Sequence, residues 1–137
     1  MKITSTYPVL MTHDVASTSA FYREHLGFEL TFEASWYVGL RSEVSELAIL
    51  DAAHSSVPVG YGTPGAGILI NVEVEDVDAV HQRLVIDGPL KTVLSLRSED
   101  FGQRHFILPG PDGVLIDVIT PIEPTAEFTA AYDVSAA

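Results

Sequence analysis

Asp14-Val15-Ala16-Ser17-Thr18-Ser19-Ala20-Phe21-Tyr22, running on to Leu26-Gly27-Phe28, occurs in outline a second time as Asp76-Val77, then Val80, Leu84, Val85 and Gly88. The Asp-Val pairs lie 62 residues apart and the closing glycines 61 apart, so the two halves superpose with one residue of slack. In each copy an aspartate stands where a carboxylate accepts from free N–H groups at a helix start, and a glycine stands where positive φ would end the helix. An apolar run precedes each copy, at 7–11 and at 68–74. Extended patterns follow at 28–33, 36–41 and 46–51 in the first half and at 91–96, 103–108 and 114–120 in the second. Pro109-Gly110-Pro111-Asp112-Gly113 makes a turn between the last two. Each half reads as a βαβββ module: module 1 over about 4–52, a Gly-, Pro- and Ser-rich linker over about 53–66, module 2 over about 67–120 and a tail from 121 to 137. Past Pro124 the tail predicts a short helix with Phe128 and Tyr132 on one face, docked on the body.

The chain has 137 residues, 47% hydrophobic and 19% charged, which suits one globular domain with its own core. Nineteen acidic against seven basic residues give a net charge of -12, so nucleic acid and anionic membranes are poor partners. With no cysteine, disulfides, thiolate metal clusters and a cysteine nucleophile are excluded. Nothing in the first residues resembles a signal peptide and no run is long and apolar enough to span a membrane, so the expectation is a cytoplasmic protein. Glu24, Glu29, Asp78, Asp87 and Glu99 read as solvated carboxylates on helices and loops.

Strand alternation selects candidate ligand-facing residues. Tyr7, Val9 and Met11 share one face of the first strand, and Leu69, Asn71 and Glu73 share one face of the first strand of module 2. If Phe106 and Leu108 pack under a helix, His105 points the other way; Asp117, between Ile116 and Val118 in mid-strand, must be solvated or paired. His13, His25, His54 and His81 read as surface residues. Trp36, Tyr37, Phe32, Tyr61 and Phe101 offer flat walls for a planar or cationic molecule.

The duplicated plan, with its segment from Asp14-Val15 to Phe21-Tyr22, Gly102-Gln103-Arg104-His105-Phe106 and Pro111-Asp112-Gly113, resembles the vicinal oxygen chelate superfamily of glyoxalases, extradiol dioxygenases and bleomycin-resistance proteins over about residues 4–120. The resemblance implies an α+β fold of tandem βαβββ modules forming a curved, partly open eight-stranded mixed sheet with a concave ligand cleft, and pairing of chains in a homodimer. It also implies a divalent metal held from the first and fourth strands of each module. The matching positions here are Tyr7, Leu69, about Ile49, and Asp117, of which only Asp117 is a good ligand.

The resemblance to the metal-free bleomycin-resistance branch therefore leads. It implies a non-catalytic protein that needs no cofactor and sequesters an antibiotic-like molecule in drug self-resistance, with Trp36 and Phe101 bordering the ligand. The ligand-facing set is Tyr7, Met11, Trp36, Tyr37, Ile49, Tyr61, Leu69, Asn71, Glu73, Phe101, His105 and Asp117. One alternative is a glyoxalase- or dioxygenase-like enzyme whose metal is held by Asp117 and His105 with Glu73 or Asp51 in a shifted register. Another is a sensor or structural dimer.

Overall fold

The computed structural model describes residues 1–132 and divides the chain into two units, Met1–Ala66 and Gly67 onward. In the first unit β1 (Val9–Thr12) leads into α1 (Val15–Leu26), followed by β2 (Glu29–Glu33), β3 (Tyr37–Arg41) and β4 (Glu46–Asp51). The sheet order is β1-β4-β3-β2, with β1 parallel to β4 and the other pairs antiparallel. Asp14 caps α1 by accepting from the Ser17 N–H at 3.0 Å, and Arg23 and His25 place basic groups in the last turn. Gly27 closes α1 at φ +74°, where a side chain would strain the backbone. The helix packs on β3 and β4, so the side chains beneath it, Leu10, Val38, Leu40, Leu47 and Ile49, are buried with Val15 and Tyr22. The buried hydroxyls of Thr12 and Thr18, 2.8 Å apart, pin the end of β1 to the helix.

The second unit repeats the plan with β5 (Leu69–Glu73), α2 (Val77–His81), β6 (Leu94–Glu99), β7 (Gln103–Pro109) and β8 (Leu115–Pro121), in sheet order β5-β8-β7-β6. Asp76 caps α2 through the Ala79 N–H at 3.1 Å. The Thr120 hydroxyl accepts from the Val77 N–H at 2.9 Å and donates to the Val74 carbonyl at 2.8 Å, tying β8 to the helix start. Phe106, Leu108, Ile116 and Val118 form the buried side toward α2, with Val77 and Leu84. The eight expected strands are thus two open four-stranded mixed sheets, one per unit.

Three sequence expectations shift, and the expected tail helix is present. The first strand starts at Val9, after Pro8, instead of at 7. The sixth lies at Leu94–Glu99 and not at 91–96, because pairing begins only with the Val93 N–H on the Ile107 carbonyl and a bulge falls between Leu94 and Arg97. After α2 the backbone widens into a π-helical turn over Gln82–Ile86, capped by Asp87 at φ -96°. Gly88 therefore does not supply positive φ; it is required because a Cβ there would collide with the carbonyl oxygens of Arg83 and Leu84. The tail forms α3 (Ala126–Thr129), and Phe128 and the Tyr132 hydroxyl reach Phe101, its ring and its carbonyl respectively. The rest of the expected tail, 133–137, lies outside the described residues.

Candidate functional site

On the second sheet, in-register pairs Asn71↔Asp117, Glu73↔Ile119, Ile107↔Asp117 and His105↔Ile119 put Leu69, Asn71, Glu73, His105 and Asp117 on the face away from α2. Along β5 the alternation is visible in the burial: Leu69, Asn71 and Glu73 are exposed, Ile70 and Val72 half-buried. His105 and Asp117, 4% and 5% exposed, are diagonal neighbours, and His105 Nδ1 lies 2.8 Å from Asp117 Oδ1. His105 Nε2 lies 3.0 Å from Glu99 Oε2, and Arg97 Nε donates to that same oxygen at 3.2 Å. The result is a chain Asp117–His105–Glu99–Arg97 in which both carboxylates receive a donor at once only when both imidazole nitrogens carry hydrogen. The hydrogen bond from His105, helped by the Arg97 charge, holds the Glu99 carboxyl below the usual glutamate range.

Two carboxylates read as merely solvated are thus engaged. Glu99 ends a strand and braces His105, and Asp78 takes a two-pronged bond from Arg104, Nε at 3.0 Å and Nη2 at 2.8 Å, which lowers its pKa. Three histidines expected at the surface also pack: His54 stacks on Trp36 at 3.9 Å and 9°, His81 meets the edge of Phe106, and His25 meets Phe21.

In the first sheet the open face carries Val9, Met11, Tyr37, Gly39, Ala48 and Leu50 by register, with Tyr7 ahead of the strand on the same parity. Ile49 does not belong to it. Ile49 pairs with Leu10 and Val38 on the α1 side and is 0% exposed, and Ala48, paired with Val9 as Asp117 is with Asn71, takes the equivalent position. Asp51 has the parity of Ile49 and spends its carboxylate on the Ala53 N–H at 2.9 Å, a local turn. Trp36 lies beside Tyr37 with its ring covered on one face by His54. Phe101 sits edge-on to His105 at 6.1 Å, whereas Tyr61 is 72% exposed in the linker.

The model of the Glyoxalase/Bleomycin resistance protein/Dioxygenase superfamily matches residues 4–118, and the chain belongs to that family. Among solved structures, a glyoxalase/bleomycin resistance protein/dioxygenase from Nocardioides is similar at 24% identity over 90% of this chain and 86% of that one, with a TM-score of 0.72. A bleomycin resistance determinant encoded on the transposon Tn5 is 21% identical over 87% of this chain and 98% of its own, TM-score 0.62. A lactoylglutathione lyase from Agrobacterium tumefaciens is 18% identical over 87% and 95%, TM-score 0.68. At these identities the likeness is one of fold. A comparison with curated proteins finds no match.

The family resemblance implies a divalent ion, and the donors present do not fit one. The four ligand positions carry Tyr7, Ala48, Leu69 and Asp117, a single carboxylate among them, and that carboxylate is bonded to His105. Both nitrogens of His105 already face carboxylate oxygens at hydrogen-bond distance, so the ring is engaged on both sides and turns no free nitrogen toward a metal. Among the described residues no group of three or more His, Cys, Asp or Glu side chains could hold a metal ion, and no helix is long and apolar enough to cross a membrane.

Proposed function

We propose that this protein binds and sequesters a planar or cationic antibiotic-like small molecule, without a metal and without making or breaking a bond. The observation that carries this reading is the closed Asp117–His105–Glu99 chain: the polar groups that could do metal chemistry are bonded to one another. What remains on the open faces is recognition chemistry, namely Tyr7, Met11 and Tyr37 on the first sheet and Leu69, Asn71 and Glu73 on the second. Trp36 and Phe101 add aromatic surface near these faces, and the net charge of -12 favours a cation over an anion. The reading includes a cytoplasmic homodimer, consistent with Val9 and Leu69 being 42% and 47% exposed on the open faces.

The test is fluorescence of Trp36, the single tryptophan, titrated with cationic aromatic antibiotics in the presence and absence of chelator. Saturable quenching identical in both supports sequestration. Quenching that vanishes with chelator, or turnover of the added compound, contradicts it.

A further inference from the structure

Away from the His105 chain, the first unit holds a hollow of about 140 Å³ on its open face, walled by Tyr7, Phe32 and Tyr37 and bordered by Glu46. We propose that this hollow is an aromatic cage for an alkylated ammonium group. The proposal rests on the small-molecule-binding reading and adds the chemistry of the group recognised.

The walls are arranged for a cation. Phe32 and Tyr37 stand at 66° with centroids 5.9 Å apart, so they form two sides of a corner and do not stack flat. Tyr7 supplies the third side. Burial first, then Tyr7 and Glu46, hold the Tyr37 hydroxyl above its ordinary range, which keeps it a neutral donor. Phe32 and Tyr7 are 53% and 46% exposed, so both aromatic residues keep substantial surface in contact with solvent.

The floor is equally specific. Gly39 lies in mid-strand between β2 and β4, where a glycine weakens a sheet and marks a close approach. Opposite it the register of β2 slips at Thr31, and a Cβ on residue 39 would collide with the Thr31 side chain and touch Phe32. The hollow has room for a head group of about four or five heavy atoms, at ~30 Å³ per water-sized group. An alkylated ammonium fits this chemistry: its methyl groups contact the rings, its diffuse charge meets their negative faces, and Glu46 supplies the countercharge.

The probe is choline, compared with 3,3-dimethyl-1-butanol, which has the same shape with carbon in place of the charged nitrogen. Ring resonances of Tyr7, Phe32 and Tyr37 are followed by NMR in the intact protein. Choline is expected to shift all three saturably and to bind at least about 3-fold more tightly than the alcohol. Phe32→Leu is expected to weaken choline binding by about 3- to 30-fold and Phe32→Tyr to preserve it, with both variants keeping the parent melting temperature. Glu46→Gln should weaken binding and flatten its salt dependence. Equal binding of the alcohol, or no ring shifts at tens of millimolar choline, overturns the cage. A metal found on Asp117 with the choline shifts intact would sink the metal-free reading and leave the cage. Quenching of Trp36 by an aromatic antibiotic with no choline response would do the reverse.

Discussion

Replacing Asp117 by alanine removes the acceptor 2.8 Å from His105 Nδ1 while leaving that nitrogen buried, since His105 is only 4% exposed. Removing one partner of a buried hydrogen bond costs about 1–3 kcal/mol, because the surviving donor keeps its desolvation penalty. For a chain of 137 residues the unfolding entropy is about 0.29 kcal/mol/K, so each kcal/mol moves the melting point by about 3–4 °C and the variant should melt about 4–10 °C lower. Asp117→Asn keeps an acceptor oxygen and should lose roughly half as much. The informative control is the pair His105→Leu with Asp117→Val, which removes both partners among the apolar neighbours Ile107 and Ile119. Apolar replacement of a buried pair is often neutral or stabilising, so this double variant should recover most of the loss. Scanning calorimetry reads all four proteins. A melting point for Asp117→Ala within about 3 °C of the parent, or a double variant as unstable as the single, would refute the claim that the pair is closed and buried.

Two further outcomes follow from the same structure. The Glu99 carboxyl is held low in the folded state, so its contribution is fully present above the ordinary glutamate pKa of about 4.3 and is lost as pH falls through the lowered folded value. Glu99→Gln should therefore flatten the acid limb of a stability-against-pH curve; an unchanged acid limb would contradict the His105 contact. Gly27→Ala should cost about 1 kcal/mol, from positive φ with no clash, whereas Gly88→Ala should cost more, from collision with the Arg83 and Leu84 carbonyls. Urea denaturation compares them, and equal losses would count against the π-turn geometry.

The duplicated plan was legible because its punctuation is chemical: Asp14 and Asp76 do cap their helices, and Gly27 does take positive φ. The parity of β5 was legible too, since Asn71 and Glu73 interrupt an apolar run at even spacing. Ile49 was misplaced because parity in β4 depends on its pairing with β1, and an apolar strand buried on both sides, with Ala48 on one face and Ile49 on the other, carries no polar residue to mark the open face. Glu99 was missed for a different reason. The bulge between Leu94 and Arg97 hides the strand's true extent, and only its completed register brings Glu99 beside Gln103 and within reach of His105. The spacing Arg97-x-Glu99, opposite charges on one strand face, was the available signal. His54 against Trp36 is a long-loop contact that no periodicity encodes.

The central proposal, that this member of the family functions without a bound metal, is tested most directly by elemental analysis of the 137-residue protein after equilibration with Zn, Mn, Ni and Fe(II) and removal of free ion. Well under one equivalent of any of them, with Trp36 quenching by a cationic aromatic antibiotic unchanged by chelator, is the predicted result. One equivalent of a divalent metal, lost in Asp117→Asn, would contradict it.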